Sequence, residues 1–252
     1  VLLTLPPGRA NALVLDYRQG LEEQGLAPAT INLRLAALRS LVALARLTGM
    51  VSWSLEVKGI ESHGYRDTCG PGEAGFLALV RVCKGRYAAR DLTVLHLLYF
   101  RALRRQEVSR LDLGDFDLEH SRVKILGKHR REKEWFTIPG TTVEVLLRWL
   151  KVRGDEPGPL LLDHKSRRLA GSAIYKIVLR LAKRAGIVAR PHGLRHAAIT
   201  HALDITGGDV RAVQAFARLR KLDTLTVYDD ARRDVGLKVA EMLSESVKKA
   251  EQ

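Results

Sequence analysis

The chain of 252 residues is long enough for one large or two modest domains, and its 46% hydrophobic content is sufficient for a buried core. Lysine and arginine number 42 against 28 acidic residues, which gives a formal net charge of +14. An excess of this size favours a polyanionic partner, namely DNA, RNA or an anionic membrane surface, over a basic enzyme that has no such partner.

Cysteine content and hydropathy exclude other classes of protein. The two cysteines, Cys69 and Cys83, form neither a CxxC pair nor a cluster with histidine at zinc-ligand spacing. Apolar runs such as residues 92–100 contain polar side chains and are too short to span a bilayer. The first residues lack the basic leader of a signal peptide, so we expect a protein of the reducing cytoplasm.

The first fifty residues have the pattern of two amphipathic helices. Residues 11–24 place Val14, Tyr17 and Leu21 on one face. Residues 28–48 repeat apolar side chains at helical spacing and begin with a proline, which is tolerated in the first helical turn. We therefore predict a small helical module at the N-terminal end.

The composition changes after these helices. Residues 50–74 are rich in glycine and show little hydrophobic periodicity, which is typical of a connection between domains. We predict a helical domain over residues 1–62, a linker over residues 63–74 and a larger domain over residues 75–252.

The larger domain has the pattern of many helices and one β-hairpin. In the hairpin, Val123 and Ile125 alternate with longer polar side chains, Trp135 and Phe136 follow, and the turn GKHRREK between them is strongly basic. The fold class is therefore mainly α with a small antiparallel β-sheet. The periodicity predicts helices over residues 73–83, 88–103, 105–111, 141–152, 172–185, 193–204, 209–217, 222–228 and 234–249.

Four segments hold side chains that are suited to phosphate chemistry. Each is weak evidence alone, because a basic turn is usually a solvated loop and a helical tyrosine is usually packing. Their order along the chain is the informative feature. The segments are an arginine box with Arg104 and Glu107, a hairpin lysine at Lys128, an HxxR pair at His192 and Arg195, and a late tyrosine at Tyr228.

Four boxes in this order resemble those of the tyrosine recombinases, the phage integrase family. ALRRQEVSRLDLGDFDLE resembles the first arginine box, VKILGKHRREKEWFTIP the lysine hairpin, RPHGLRHAAITHAL the second box and DVRAVQAFARLRKLDTLTVYDD the tyrosine box. APATINLRLAALRSLVALA resembles the helical core-binding domain of that family, here short at its N-terminal end. The resemblance implies a core-binding domain followed by a recombinase-like catalytic domain.

The resemblance implies a site-specific DNA recombinase or integrase that cleaves and rejoins DNA through a 3′-phosphotyrosine, without a metal or another cofactor. Tyr228 would be the nucleophile, since tyrosine attack stores the bond energy of the phosphodiester for rejoining. Arg104 and Arg195 would bind the scissile phosphate, because a guanidinium fork matches phosphate geometry.

Other residues of the same boxes would transfer protons or orient the catalytic side chains. Lys128 would be the general acid that protonates the leaving 5′-oxygen, with Lys124 and Lys133 as rivals. His192 would accept a proton or donate to the phosphate, and Glu107 would orient Arg104 or His192 by hydrogen bonding.

The sequence departs from the family pattern at one position of chemical importance. The family usually has His or Trp nine residues before the tyrosine, and this chain has Leu219 there. Leucine cannot donate a hydrogen bond, and loss of one such donor costs on the order of 3 kcal/mol, or roughly a hundredfold in rate. Arg218 and Arg220 are candidates to compensate. Ala102 also stands where the first box often has glycine.

The resemblance also implies a partner and an assembly. The partner would be a double-stranded DNA attachment site held in a C-shaped clamp, and the active form would be a homotetramer on synapsed DNA. We expect a bacterial or phage-encoded protein that acts in the cytoplasm on the nucleoid and has no membrane partner. The candidate DNA contacts are Arg34, Arg39, Arg130, Arg131 and Lys133.

Two other functions remain open. A DNA-binding relic of the same fold would have lost the chemistry, and Leu219 is the one feature that supports it. A type IB topoisomerase would use the same nucleophile without synapsis, but the core-binding helices and the C-terminal tail favour a recombinase.

Overall fold

The computed structural model describes residues 1–61, 70–127 and 130–219. The chain divides into two compact units, residues 1–65 and 66–252. The described residues are mostly helical, with one three-stranded antiparallel sheet, so the predicted fold class is confirmed. None of the described helices is long and apolar enough to cross a membrane.

The first unit is built on two helices, α1 (Pro7–Glu23) and α2 (Pro28–Leu47). Helix α1 begins four residues earlier than predicted, because Pro7 occupies its first position, where a missing N–H costs little. Tyr17 was expected on the buried face but is 41% exposed. The buried side chains of α1 are Ala10, Val14 and Leu21.

An extended segment after α2 completes this unit. Leu55 and Val57 of the segment are buried with the helices in one hydrophobic cluster. The Asn32 amide of α2 donates to the Ile60 carbonyl at 2.8 Å and accepts the Ile60 N–H at 2.8 Å. The Glu56 N–H donates to the Asn11 side chain at 2.9 Å. Side chains therefore satisfy the backbone groups of this segment in place of a neighbouring strand.

The second unit is a helical core with a small sheet. Its described helices begin and end within two residues of the predicted positions, except for the helix predicted over residues 88–103. The sheet has the order β1 (Phe116–Asp117), β2 (Arg122–Leu126) and β3 (Lys133–Thr137). The helices are α3 (Gly72–Arg81), α4 (Ala88–Tyr99), α5 (Arg105–Ser109), α6 (Gly140–Arg153), α7 (Gly171–Ala185), α8 (Pro191–Ile205) and α9 (Val210–Ala217).

The predicted hairpin corresponds to β2 and β3. Val123 and Ile125 are buried, and Val123 pairs across the strands with Phe136. Trp135 points the other way and is 40% exposed, with the Lys124 ammonium 4.7 Å from its ring centroid. The alternation of buried and exposed positions therefore follows the period of a strand with one covered face.

Helix α4 is the centre of the second unit and ends earlier than predicted. It is buried nearly all round and packs on α6 and α8. The prediction that it continues to residue 103 is wrong, because the chain turns at Ala102, where φ is 45°. A left-handed residue cannot continue a right-handed helix. The turn lets the Leu103 N–H donate to the Leu97 carbonyl at 3.1 Å, and it directs Arg104 away from the core.

Candidate active site

The first arginine box lies at the start of α5. The Arg104 backbone N–H donates to Glu107 Oε2 at 2.7 Å, and the Arg104 guanidinium donates to Glu107 Oε1 at 2.9 Å. Glu107 is buried, whereas the Arg104 side chain is 36% exposed. The carboxylate thus caps the start of α5 and holds the Arg104 guanidinium by a hydrogen bond.

Arg195 joins three parts of the second unit. It lies on α8 and is 2% exposed. Its guanidinium donates to the Ala102 carbonyl in the turn after α4, and to the Ala217 carbonyl at the end of α9 at 2.7 Å. The first box, the second box and the segment that leads to Tyr228 therefore meet at one buried cation.

Arg218 is a second arginine that binds the Glu107 carboxylate. Its Nη2 donates to Glu107 Oε2 at 2.7 Å and is 3.5 Å from the Ala102 carbonyl. Burial acts to raise the pKa of Glu107, but the charge of Arg218 and the hydrogen bonds from Arg104 outweigh burial and leave that pKa below its ordinary value. Glu107 is therefore an anion shared between two guanidiniums.

Sequence reasoning missed a further arginine, Arg101. Its guanidinium stacks at 4.9 Å from the Phe136 ring centroid and 5.8 Å from that of Phe216. Burial, and then the charge of Arg218, lower the pKa of Arg101 to about 10. No local signal reveals this residue, because the rings that cover it come from β3 and α9, far away in the sequence.

His192 lies one turn of α8 before Arg195. Its side chain is exposed, and its ring centroid is 6.2 Å from that of His196. Partial desolvation, followed by the charges of Arg195 and Arg104, lowers the pKa of His192. The ring is therefore neutral at pH 7 and can accept a proton.

Leu219, the leucine that departs from the family pattern, follows the end of α9. Leu219 is half-buried and packs against the hydrophobic core of the second unit. Its N–H donates to the Gln214 carbonyl at 3.1 Å, which continues the end of α9. The side chain supplies apolar packing and no donor. Two other predicted site residues, Lys128 and Tyr228, and Arg220 lie outside the described residues, as do the helices predicted over residues 222–228 and 234–249.

The candidate DNA contacts of the second unit differ in their surroundings. Lys133 Nζ lies 2.6 Å from both carboxylate oxygens of Asp115, which is buried. The Arg130 guanidinium forms a 2.5 Å contact with Glu134 on the surface, and Arg131 is exposed. Lys133 is thus paired with a buried carboxylate although it is itself exposed, whereas the two arginines make no contact with a buried carboxylate among the described residues.

The candidate contacts of the first unit lie on α2. Arg34 is exposed and Arg39 is half-buried. Neither belongs to the buried stripe of that helix, which is Ile31, Leu35, Val42 and Ala45.

The chain is similar to known proteins over most of its length. The phage integrase family matches residues 76–233. A tyrosine recombinase of Synechocystis sp. is 39% identical over 96% of this chain and 81% of its own length. A tyrosine recombinase of Synechococcus elongatus is 40% identical over 92% of this chain and 76% of its own length.

A solved structure shows the same fold at low sequence identity. The XerH site-specific recombinase, bound to a palindromic difH substrate in a post-cleavage complex, superposes with a TM-score of 0.71. The match covers 99% of this chain and 73% of that chain at 18% identity. A likeness at this identity is one of fold.

Proposed function

Because the chain belongs to the tyrosine recombinases, the phage integrase family, we propose that it is a site-specific DNA recombinase that works through a 3′-phosphotyrosine. One observation carries the proposal: boxes that are about a hundred residues apart converge on the Ala102 carbonyl and the Glu107 carboxylate. They bring Arg104 and Arg195 together, two cations that match a phosphodiester.

The proposed reaction begins with attack by the phenolic oxygen of Tyr228 on the scissile phosphorus. The bond from phosphorus to the 5′-oxygen breaks, and the phenolic proton passes to the neutral ring of His192. The pentavalent transition state gains negative charge on its non-bridging oxygens, where Arg104 and Arg195 stabilise it. Attack by a 5′-hydroxyl on the phosphotyrosine reverses the step and rejoins DNA, so no cofactor is needed.

The proposed general acid is Lys128. Two observations support it over its rivals. Lys133 is held by the buried Asp115, and the Lys124 ammonium lies over the Trp135 ring. Lys128 would therefore be the lysine of the hairpin that protonates the leaving 5′-oxygen.

The proposed partner is a double-stranded DNA attachment site. Residues 1–62 would be the core-binding domain, with Arg34 and Arg39 on DNA, and residues 75–252 would be the catalytic domain. Arg130 and Arg131 would contact phosphates near the cleavage point. The active form would be a homotetramer on synapsed DNA, working in the cytoplasm. The XerH structure, which was solved with its difH substrate, supports the DNA partner by analogy of fold.

Covalent trapping tests the proposal. Binding sites would first be selected from genomic DNA and then nicked, so that the cleaved end diffuses away and the adduct accumulates. We expect a denaturant-resistant adduct with the native protein and none with Tyr228→Phe. Tight salt-sensitive binding without an adduct would instead identify a DNA-binding relic, in accord with Leu219.

A plasmid relaxation assay distinguishes the proposed recombinase from a type IB topoisomerase. A type IB topoisomerase would relax supercoiled plasmid that lacks the selected site, whereas the proposed recombinase would leave that plasmid supercoiled. Relaxation of both plasmids at equal rates would refute site-specific action.

A further inference from the structure

The residue before Leu219 is an unusual place for an arginine. Arg218 follows α9 with φ 53° and ψ 47°, which is the left-handed region. Glycine adopts this conformation without a steric penalty, and other residues do so at a cost. An arginine at this position therefore indicates that its side chain has a use that offsets the strain.

The Arg218 guanidinium has donors that the fold does not satisfy. Its side chain is 10% exposed, and Nη2 donates to Glu107. Within the part of the chain that the structure describes, its buried Nε and Nη1 have no hydrogen-bond acceptor. Buried donors are almost always paired in folded proteins, so these two indicate that an acceptor binds here.

The surroundings specify the charge of that acceptor. Arg104 and Arg218 both donate to the Glu107 carboxylate, and the Arg101 and Arg218 guanidiniums lie over the same Phe136 ring, so positive charge exceeds negative charge around Arg218. Arg195 and Arg218 both approach the Ala102 carbonyl, which places their guanidiniums side by side. An oxyanion is the acceptor that such a cluster favours.

We infer that Arg218 is a catalytic residue that donates a hydrogen bond to a non-bridging oxygen of the scissile phosphate. It would supply, from the adjacent position, the donor that Leu219 cannot provide. This inference rests on the proposed recombinase function and adds a third arginine to Arg104 and Arg195. The alternative is that Arg218 only positions Glu107.

The first test removes the phosphate oxygen as well as the arginine. Adduct formation would be measured with native protein and Arg218→Met, on nicked DNA that carries either a phosphate or each stereoisomer of a methylphosphonate at the cleavage point. On the phosphate we expect Arg218→Met to be slower on the order of a hundredfold. On the stereoisomer that lacks the contacted oxygen, we expect the two proteins to differ by no more than about threefold.

Two variants serve as controls. Arg148→Met removes an exposed charge on α6 and should form adducts at the native rate. Arg218→Gly suits the left-handed backbone, so it tests the missing guanidinium even if Arg218→Met folds poorly. A defect of equal size on the phosphate and on both methylphosphonates would overturn the inference and leave Arg218 as a positioning residue.

The second test does not depend on DNA cleavage. Binding of inorganic phosphate would be measured by calorimetry with Tyr228→Phe protein, with and without Arg218→Met. We expect the added change to weaken phosphate binding at least about tenfold, and Arg148→Met to leave it unchanged. Equal affinities, or no binding by the parent, would overturn the inference. Weaker phosphate binding after Arg218→Met, together with no adduct from the native protein that retains Tyr228, would instead support the anion site and reject the proposed function.

Discussion

At the scale of single residues, burial sets the protonation state of the histidines. His96 is 8% exposed, and its ring makes an edge contact with Phe100 at a centroid distance of 4.9 Å. Burial, and then the charge of Arg148, lower the pKa of His96 to about 4. Burial also lowers the pKa of His196 to about 4, with further contributions from His192 and Arg195. Both rings are therefore neutral in the folded protein at pH 7.

These two histidines make folding sensitive to acid. Between pH 6.5 and 4 these histidines bind protons in the unfolded chain but not in the folded chain. The free energy of unfolding therefore falls as the pH is lowered through this window. Each histidine contributes a slope of up to about 1.4 kcal/mol per pH unit. We expect His96→Asn to lower the slope of the free energy of unfolding against pH by the contribution of about one proton. Urea unfolding at several pH values would measure this slope. The exposed His164→Asn serves as control, and an unchanged slope in His96→Asn would contradict the prediction.

At the scale of elements, the hairpin contains two kinds of basic residue. Lys133 belongs to the fold through Asp115, which is buried and also accepts the Asp112 N–H at 2.9 Å. Arg131 is exposed near the turn. The basic residues of one short segment therefore divide into a cation paired with a buried carboxylate and cations at the surface.

This division predicts different effects on stability and on binding. Lys133→Ala would leave the Asp115 carboxylate buried without its cation, and we expect a loss of roughly 1–3 kcal/mol in the free energy of unfolding. Arg131→Ala should change that free energy by less than about 0.5 kcal/mol but weaken DNA binding. Denaturant unfolding and fluorescence anisotropy would measure the two effects. If Lys133→Ala keeps full stability, the pair with Asp115 is not structural.

The hairpin and α4 differ in how well the sequence predicts them. Periodicity located the hairpin and most helices, because burial of one face is encoded locally. It could not find the end of α4, which depends on a left-handed turn at Ala102 within a buried site. Nor could it assign Lys133 to Asp115 or Arg101 to Phe136, because these contacts join residues that are far apart in the sequence. The order of the four boxes predicted Arg104, Glu107 and Arg195 as site residues, but only the structure reveals that Arg218 donates to the same carboxylate as Arg104.

At the scale of the whole molecule, the formal charge of +14 governs the proposed interaction with DNA. Each phosphate that is neutralised by the protein releases counterions, so affinity should fall steeply with salt. We expect Arg34→Ala and Arg39→Ala each to lower the slope of log affinity against log salt by about one. Binding isotherms at several salt concentrations would measure this slope. An Arg148→Ala control should keep the parental slope, and parental slopes in all three variants would contradict the proposed role of α2.

The bond between Asn32 and the Ile60 peptide has a consequence for how the first unit can change over generations. A β-carbon at residue 59 would lie 2.4 Å from Asn32 Oδ1, so the Asn32 side chain can keep its present position only while residue 59 is glycine. A change to alanine at 59 becomes acceptable after residue 32 has been replaced by a smaller one, which removes both bonds to the Ile60 peptide. The two positions are thus epistatic, because alanine at 59 costs less stability after residue 32 has changed than before.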